Sequence, residues 1–115
     1  MDRDISQLLK ALDLLDAGSL DPAHKIAQRF EGDPLADTIH AIVHRREGDF
    51  SNSIYWWNRV GTSIPDTLWR LYGNPVAFVN LARQSSLSGE YADKVRKIES
   101  EEITVLRLVL SEVSE

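Results

Sequence analysis

Laid over itself with a shift of thirty residues, the chain matches one glycine-ended segment to the next, and this repeat restricts the fold more than any other feature. Gly18 falls on Gly48, Leu9 on Ile39, Ala11 on Ala41, Leu12 on Ile42, Leu20 on Phe50, Arg29 on Arg59 and Phe30 on Val60. The matched residues are those that pack or turn, which is what a repeated supersecondary unit keeps. Within a unit the apolar residues recur at intervals of three and four, as in Ile5, Leu8, Leu12 and Leu15. That is the period of a helix with one buried face, and no segment alternates as a strand would. An all-α fold is expected.

Breakers set the boundaries. The pattern predicts helices over residues 4–17, 22–30, 34–46, about 51–60, 65–72, 75–87 and 90–113, with Gly18, Gly48, Gly61, Gly73 and Gly89 between or after them. Pro22, Pro34, Pro65 and Pro75 suit first helical turns, and Asp49 or Ser51 can cap the fourth helix. The connections are only a few residues long, so neighbouring helices must fold back antiparallel. A chain of 115 residues is the size of one domain. We therefore expect a single helical-repeat domain over residues 1–115, with six helices and one short inserted helix at 65–72. Its hairpins span about 4–31, 34–61 and 75–113. Gly89-Glu90-Tyr91 repeats the turn at Gly48-Asp49-Phe50, displaced by the inserted helix.

The turn Gly48-Asp49-Phe50, the small residue Ala41, the aromatic Trp57 and the breaker Pro65 occupy the spacings of the tetratricopeptide signature. The chain thus resembles a tetratricopeptide-repeat protein over two to three units. The resemblance implies a short stacked α-α superhelix that binds a protein segment. Two features depart from that family: the period is thirty residues rather than ~34, and no tryptophan stands near Asp37. The stretch H-R-R-E-G-D-F-S-N-S-I-Y-W-W and the later N-P-V-A-F-V-N-L also resemble segments of small helical proteins of bacteria, which implies a shared fold and no particular activity.

A net charge of −5 argues against a general nucleic-acid binder. The absence of cysteine excludes disulfides and thiolate chemistry. The charged start Met1-Asp2-Arg3-Asp4 has no apolar run behind it and no stretch is long enough to cross a bilayer, so a soluble cytoplasmic protein is expected.

Asp37, His40, His44 and Glu47 stand three, four and three residues apart, on one face of the third helix. Three readings fit them. A hydrogen-bonded histidine network would fix the packing. No cofactor is expected, but a His-x-x-x-His pair with Asp37 or Glu47 could bind a divalent metal, although Ala41 stands where the zinc-protease motif needs glutamate. Arg45, Arg46, Arg59 and Arg70 could instead hold an acidic ligand. The leading expectation is non-catalytic binding of a protein segment or small acidic ligand by His40, His44, Asn52, Tyr55, Trp56 and Arg59. Trp57, seven residues after Phe50, takes the core position, leaving Trp56 or Tyr55 for a groove or for Trp69. Glu101 and Glu102 read as solvated surface charge. In the last helix Ile103, Leu106, Leu110 and Val113, widened by Val105, Leu108 and Val109, form a stripe that could cap the last hairpin and support a homodimer.

Overall fold

The computed structural model describes residues 4–113; the charged start at residues 1–3 lies outside them. They form α1 (Ile5–Asp16), α2 (Leu20–Arg29), α3 (Pro34–Arg46), α4 (Phe50–Val60), a 3-10 turn (Gly61–Ser63), α5 (Asp66–Tyr72), α6 (Pro75–Ser88) and α7 (Ala92–Val113). The fold is all-α, and no strand occurs among the described residues.

Side-chain caps begin the helices where polar residues precede the apolar stripes. Asp4, Asp33, Asp49 and Asn74 each accept a backbone N–H of the first turn that has no partner within the helix. Pro34 and Pro75 follow two of these caps, at positions that need no N–H donor. Helix α2 begins two residues before Pro22. Proline is tolerated there because the first four amides of a helix are unbonded in any case.

The thirty-residue repeat extends to individual hydrogen bonds. After α1, Gly18 N–H donates to Leu15 O and Ser19 N–H to Leu14 O; after α3, Gly48 N–H donates to Arg45 O and Asp49 N–H to His44 O. Both glycines have positive φ, +78° and +84°, as this helix-ending turn requires. The third turn differs from the expected copy. Where Phe50 starts α4, Tyr91 has φ +63° and α7 starts one residue later. A left-handed aromatic residue is an outlier, so the likeness of Gly89-Glu90-Tyr91 to the earlier turns ends at its backbone.

Ala11 and Ala41 are wholly buried, and their small side chains let partner helices approach. The Ser53 hydroxyl of α4 reaches the Ala41 carbonyl at 2.7 Å. Helix α3 is the hub, packed against α1, α2 and α4 and buried from Leu35 through Arg45. Helix α7 does more than cap the last hairpin: it packs against α5 and α6 and also returns to α1. The first and last helices therefore meet. Helix α5 fills the gap between α6 and α7, with Leu68 fully buried.

Candidate functional site

A helix buried all round must find partners for every polar group it carries. Five polar residues of α3, Asp37, Thr38, His40, His44 and Arg45, are buried; Thr38 returns its hydroxyl to the Pro34 carbonyl at 2.8 Å, His40 and His44 belong to one polar centre, and Arg45 belongs to a second.

The first centre faces α2 and α4. His40 stacks on the Trp56 ring, with centroids 4.0 Å apart, and on His44 at 4.8 Å. A third imidazole, His24 of α2, meets His40 edge-on at 4.5 Å and His44 at 5.2 Å. One ring nitrogen from each of the three histidines lies within 4.8 Å of the others. His44 Nδ1 is 2.7 Å from Glu47 Oε1, and Asp49 Oδ2 stands 3.7 Å away. His40 Nδ1 is buried and has no hydrogen-bond partner. Burial, then the neighbouring His24 and His44, pushes the His40 pKa down to about 4, so the ring is neutral at pH 7.

Asp37 does not join this group. Both of its oxygens lie 3.2 Å from the Gly32 amide, so its carboxylate closes the turn before α3. Burial raises its pKa, and the Gly32 bond opposes that shift. The expected ligand face therefore separates: His40 and His44 meet His24, Glu47 sits behind His44, and Asp37 serves the backbone. His24 escaped the sequence reading because the thirty-residue shift aligns it with Ile54. Reflection about the turn would have found it, since positions 24 and 40 are equidistant from Gly32 in an antiparallel pair.

The second centre faces α7 and corrects the reading of Glu102 as surface charge. Glu102 has no exposed area. Its Oε2 accepts from Arg45 Nη2, and from Arg46 Nε at 3.1 Å and Nη2 at 2.8 Å, while the Tyr72 hydroxyl donates to Oε1. Arg46 also donates to the Glu99 carbonyl at 2.7 Å. The Arg45 guanidinium lies over the Phe78 ring at 4.7 Å. Burial works against its charge, but Glu102, Tyr72 and Glu99 outweigh burial and raise the Arg45 pKa. Burial and the nearby Glu102 raise the Tyr72 pKa, keeping the phenol protonated to donate. Two of the four arginines expected to hold an acidic ligand are thus committed inside the protein.

Half of the expected partner surface is interior. His40, His44 and Trp56 are buried; Asn52, Tyr55 and Arg59 are exposed. Asn52 bonds Asp49 at 2.7 Å, and Arg59 spans the Trp56 ring and the Tyr55 hydroxyl. Trp57 takes the expected core position, and Trp56 lines the histidine centre rather than a groove. On α7, Ile103, Leu106 and Leu110 point inward. The exposed apolar residues Leu108 and Val113 stand five positions apart, about 140° around the helix, so they form no stripe.

A cleft lies elsewhere, between α4, α5 and the start of α6. This cleft of about 820 Å³ is lined by the Trp57 and Trp69 indoles, Ile64, and the side-chain amides of Asn58, Asn74 and Asn80, among others. Its eleven lining residues include no ionisable side chain, although 27% of the sequence is charged. An uncharged lining this long is a chemical property of the cleft. No helix among the described residues is long and apolar enough to cross a membrane. No protein-family model, curated protein or solved structure matches the chain.

Proposed function

We propose that this chain is a non-catalytic helical binding module that takes an uncharged, apolar-rich segment of another protein into the cleft between α4 and α6. The observation that carries this reading is the lining: two indoles and three carboxamides around about 820 Å³, with no charged side chain. The size lies in the range of ligand pockets, roughly 300–1,000 Å³. Each carboxamide offers both donor and acceptor, which complements the N–H and C=O groups of an extended peptide. Indoles are favoured anchors for apolar side chains. An acidic ligand is disfavoured at three of the four candidate arginines, because Arg45 and Arg46 are held by Glu102, and Arg59 is held by Tyr55 and Trp56.

Selection of a random linear peptide library on the immobilised protein tests this reading. The enriched peptides should share an uncharged apolar core and quench tryptophan fluorescence on titration. Trp69 is part-exposed, at 38%, so Trp69→Ala should leave the fold intact while weakening binding at least about tenfold, as loss of a central anchor does. Tyr55→Ala, outside the lining of the cleft, should change nothing. Enrichment of acidic peptides, or binders indifferent to Trp69→Ala, would overturn the proposal.

A further inference from the structure

The histidine centre is separate from the cleft and has a different chemistry. Three imidazoles from two helices converge with ring nitrogens within 4.8 Å of each other. Two of the rings, His40 and His44, are buried, and the third, His24, is half-buried at the protein surface. No carboxylate neutralises the group as a whole: the Glu47 and Asp49 oxygens approach His44 at its Nδ1, and Asp37 is turned to Gly32. A buried imidazole nitrogen without a partner, as at His40 Nδ1, loses its hydration with nothing in return.

We propose that His24, His40 and His44 form a binding site for a divalent transition-metal ion of borderline softness, Zn²⁺ being the type case. Three features support this beyond the count of ligands. His40 and His44 lie one helical turn apart on a buried helix, so their backbones are fixed. Glu47 holds His44 Nδ1 at 2.7 Å, leaving Nε2 as that ring's free donor atom. This carboxylate–imidazole pairing is the usual second layer of a zinc site, where it sets tautomer and ring direction. Trp56, stacked on His40, provides an apolar wall that excludes competing water.

In a tetrahedral site with metal–nitrogen bonds near 2.0–2.1 Å, ligand nitrogens stand about 3.3 Å apart. Separations of up to 4.8 Å close to that value through side-chain rotation, and His24, the one half-buried ring of the three, has the most room to turn. Three protein nitrogens leave the fourth position to water or an exogenous ligand, so the ion would be accessible from the His24 side. An all-imidazole set favours Zn²⁺, Co²⁺, Ni²⁺ or Cu²⁺ over Mg²⁺ or Ca²⁺, which take oxygen ligands.

The test uses the whole protein after chelator treatment, titrated with ZnCl₂ by calorimetry and thermal denaturation. Binding of one ion per chain is expected, with Tm raised by about 5 °C or more at saturating metal and no rise with MgCl₂. Co²⁺ should give the intense visible absorption of a tetrahedral ion. His24→Ala, which alters only a half-buried residue, should stay folded and lose the binding. Glu47→Gln should keep the stoichiometry and weaken affinity about 10–100-fold. Absence of any Zn²⁺ or Co²⁺ binding overturns the proposal. So does full binding by His24→Ala together with its loss in Glu47→Gln, which would move the ion to the group formed by His44, Glu47 and Asp49.

Discussion

Replacing Glu102 with alanine should destabilise the protein by about 3–5 kcal/mol, the usual consequence of removing one member of a buried ion pair. The carboxylate has no exposed area and takes bonds from Arg45, Arg46 and Tyr72. Without it the wholly buried Arg45 side chain would face only Glu99, 3.5 Å from its Nε. Arg46 would keep its bond to the Glu99 carbonyl, and the Tyr72 hydroxyl would lose its acceptor. Natural domains hold only about 5–15 kcal/mol in total, so this loss is a large share. Chemical denaturation should show it as a lower midpoint with little change in slope. Glu101→Ala is the control. That side chain carries the same charge one residue earlier but is exposed, and its removal should change stability by no more than about 0.5 kcal/mol. Equal effects from the two variants would show that Glu102 is not buried in solution.

Acid should destabilise the metal-free protein through His40. In the folded chain its pKa is pushed down to about 4, whereas the ordinary value is 6.5. Between those values the unfolded chain binds a proton that the folded chain refuses. Stability from this group is therefore complete above pH 6.5 and falls as the pH drops toward 4. The shift corresponds to about 3 kcal/mol once the pH is below both values. The groups facing His40 are His24, His44 and the Trp56 ring, and burial together with the two histidines keeps the proton off. Asp37, whose pKa is raised by burial, acts in the opposite sense and gains relative stability in acid. Asp49, lowered by its bond to Asn52, loses stability there. Both carboxylate contributions cancel when wild type is compared with His40→Gln, which cannot titrate. Urea melts at pH 7, 5.5 and 4.5 should show a steeper loss for wild type. Parallel pH profiles would mean that the His40 ring is hydrated.

The sequence reveals the helices and early turns because local chemistry determines them. Gly18 and Gly48 end helices by their own freedom at positive φ, and Asp33-Pro34 starts α3 by a cap and a fixed φ. The thirty-residue shift works because the two turns share hydrogen bonds as well as residue types. The position of α7 is not local. Its apolar stripe predicts that it is covered, but not that α1 and α5 are among the helices that cover it. The same limit explains Glu102. A glutamate beside another glutamate in a charged helix reads as solvent-facing, and its partners Arg45 and Arg46 lie 57 and 56 residues away. The histidine face was partly legible: helical spacing groups His40 with His44, but it also includes Asp37, which the Gly32 amide claims. It omits His24, which only the antiparallel pairing of α2 with α3 brings in. The cleft had no signature of its own, because its lining comes from the end of α4, the 3-10 turn, α5 and the start of α6.

Under the proposed function a protein partner meets the α4–α6 cleft and not the histidine face of α3. The three tryptophans divide between these regions: Trp57 and Trp69 line the cleft, and Trp56 is stacked on His40. The indole N–H signals in an amide correlation spectrum, assigned with single Trp→Phe variants, report on each region separately. On titration with a selected uncharged peptide, the Trp69 signal should move furthest, Trp57 should follow, and Trp56 should hold its position. A shift of the Trp56 signal with Trp69 unmoved would contradict the account and return the binding surface to the Tyr55–Arg59 face.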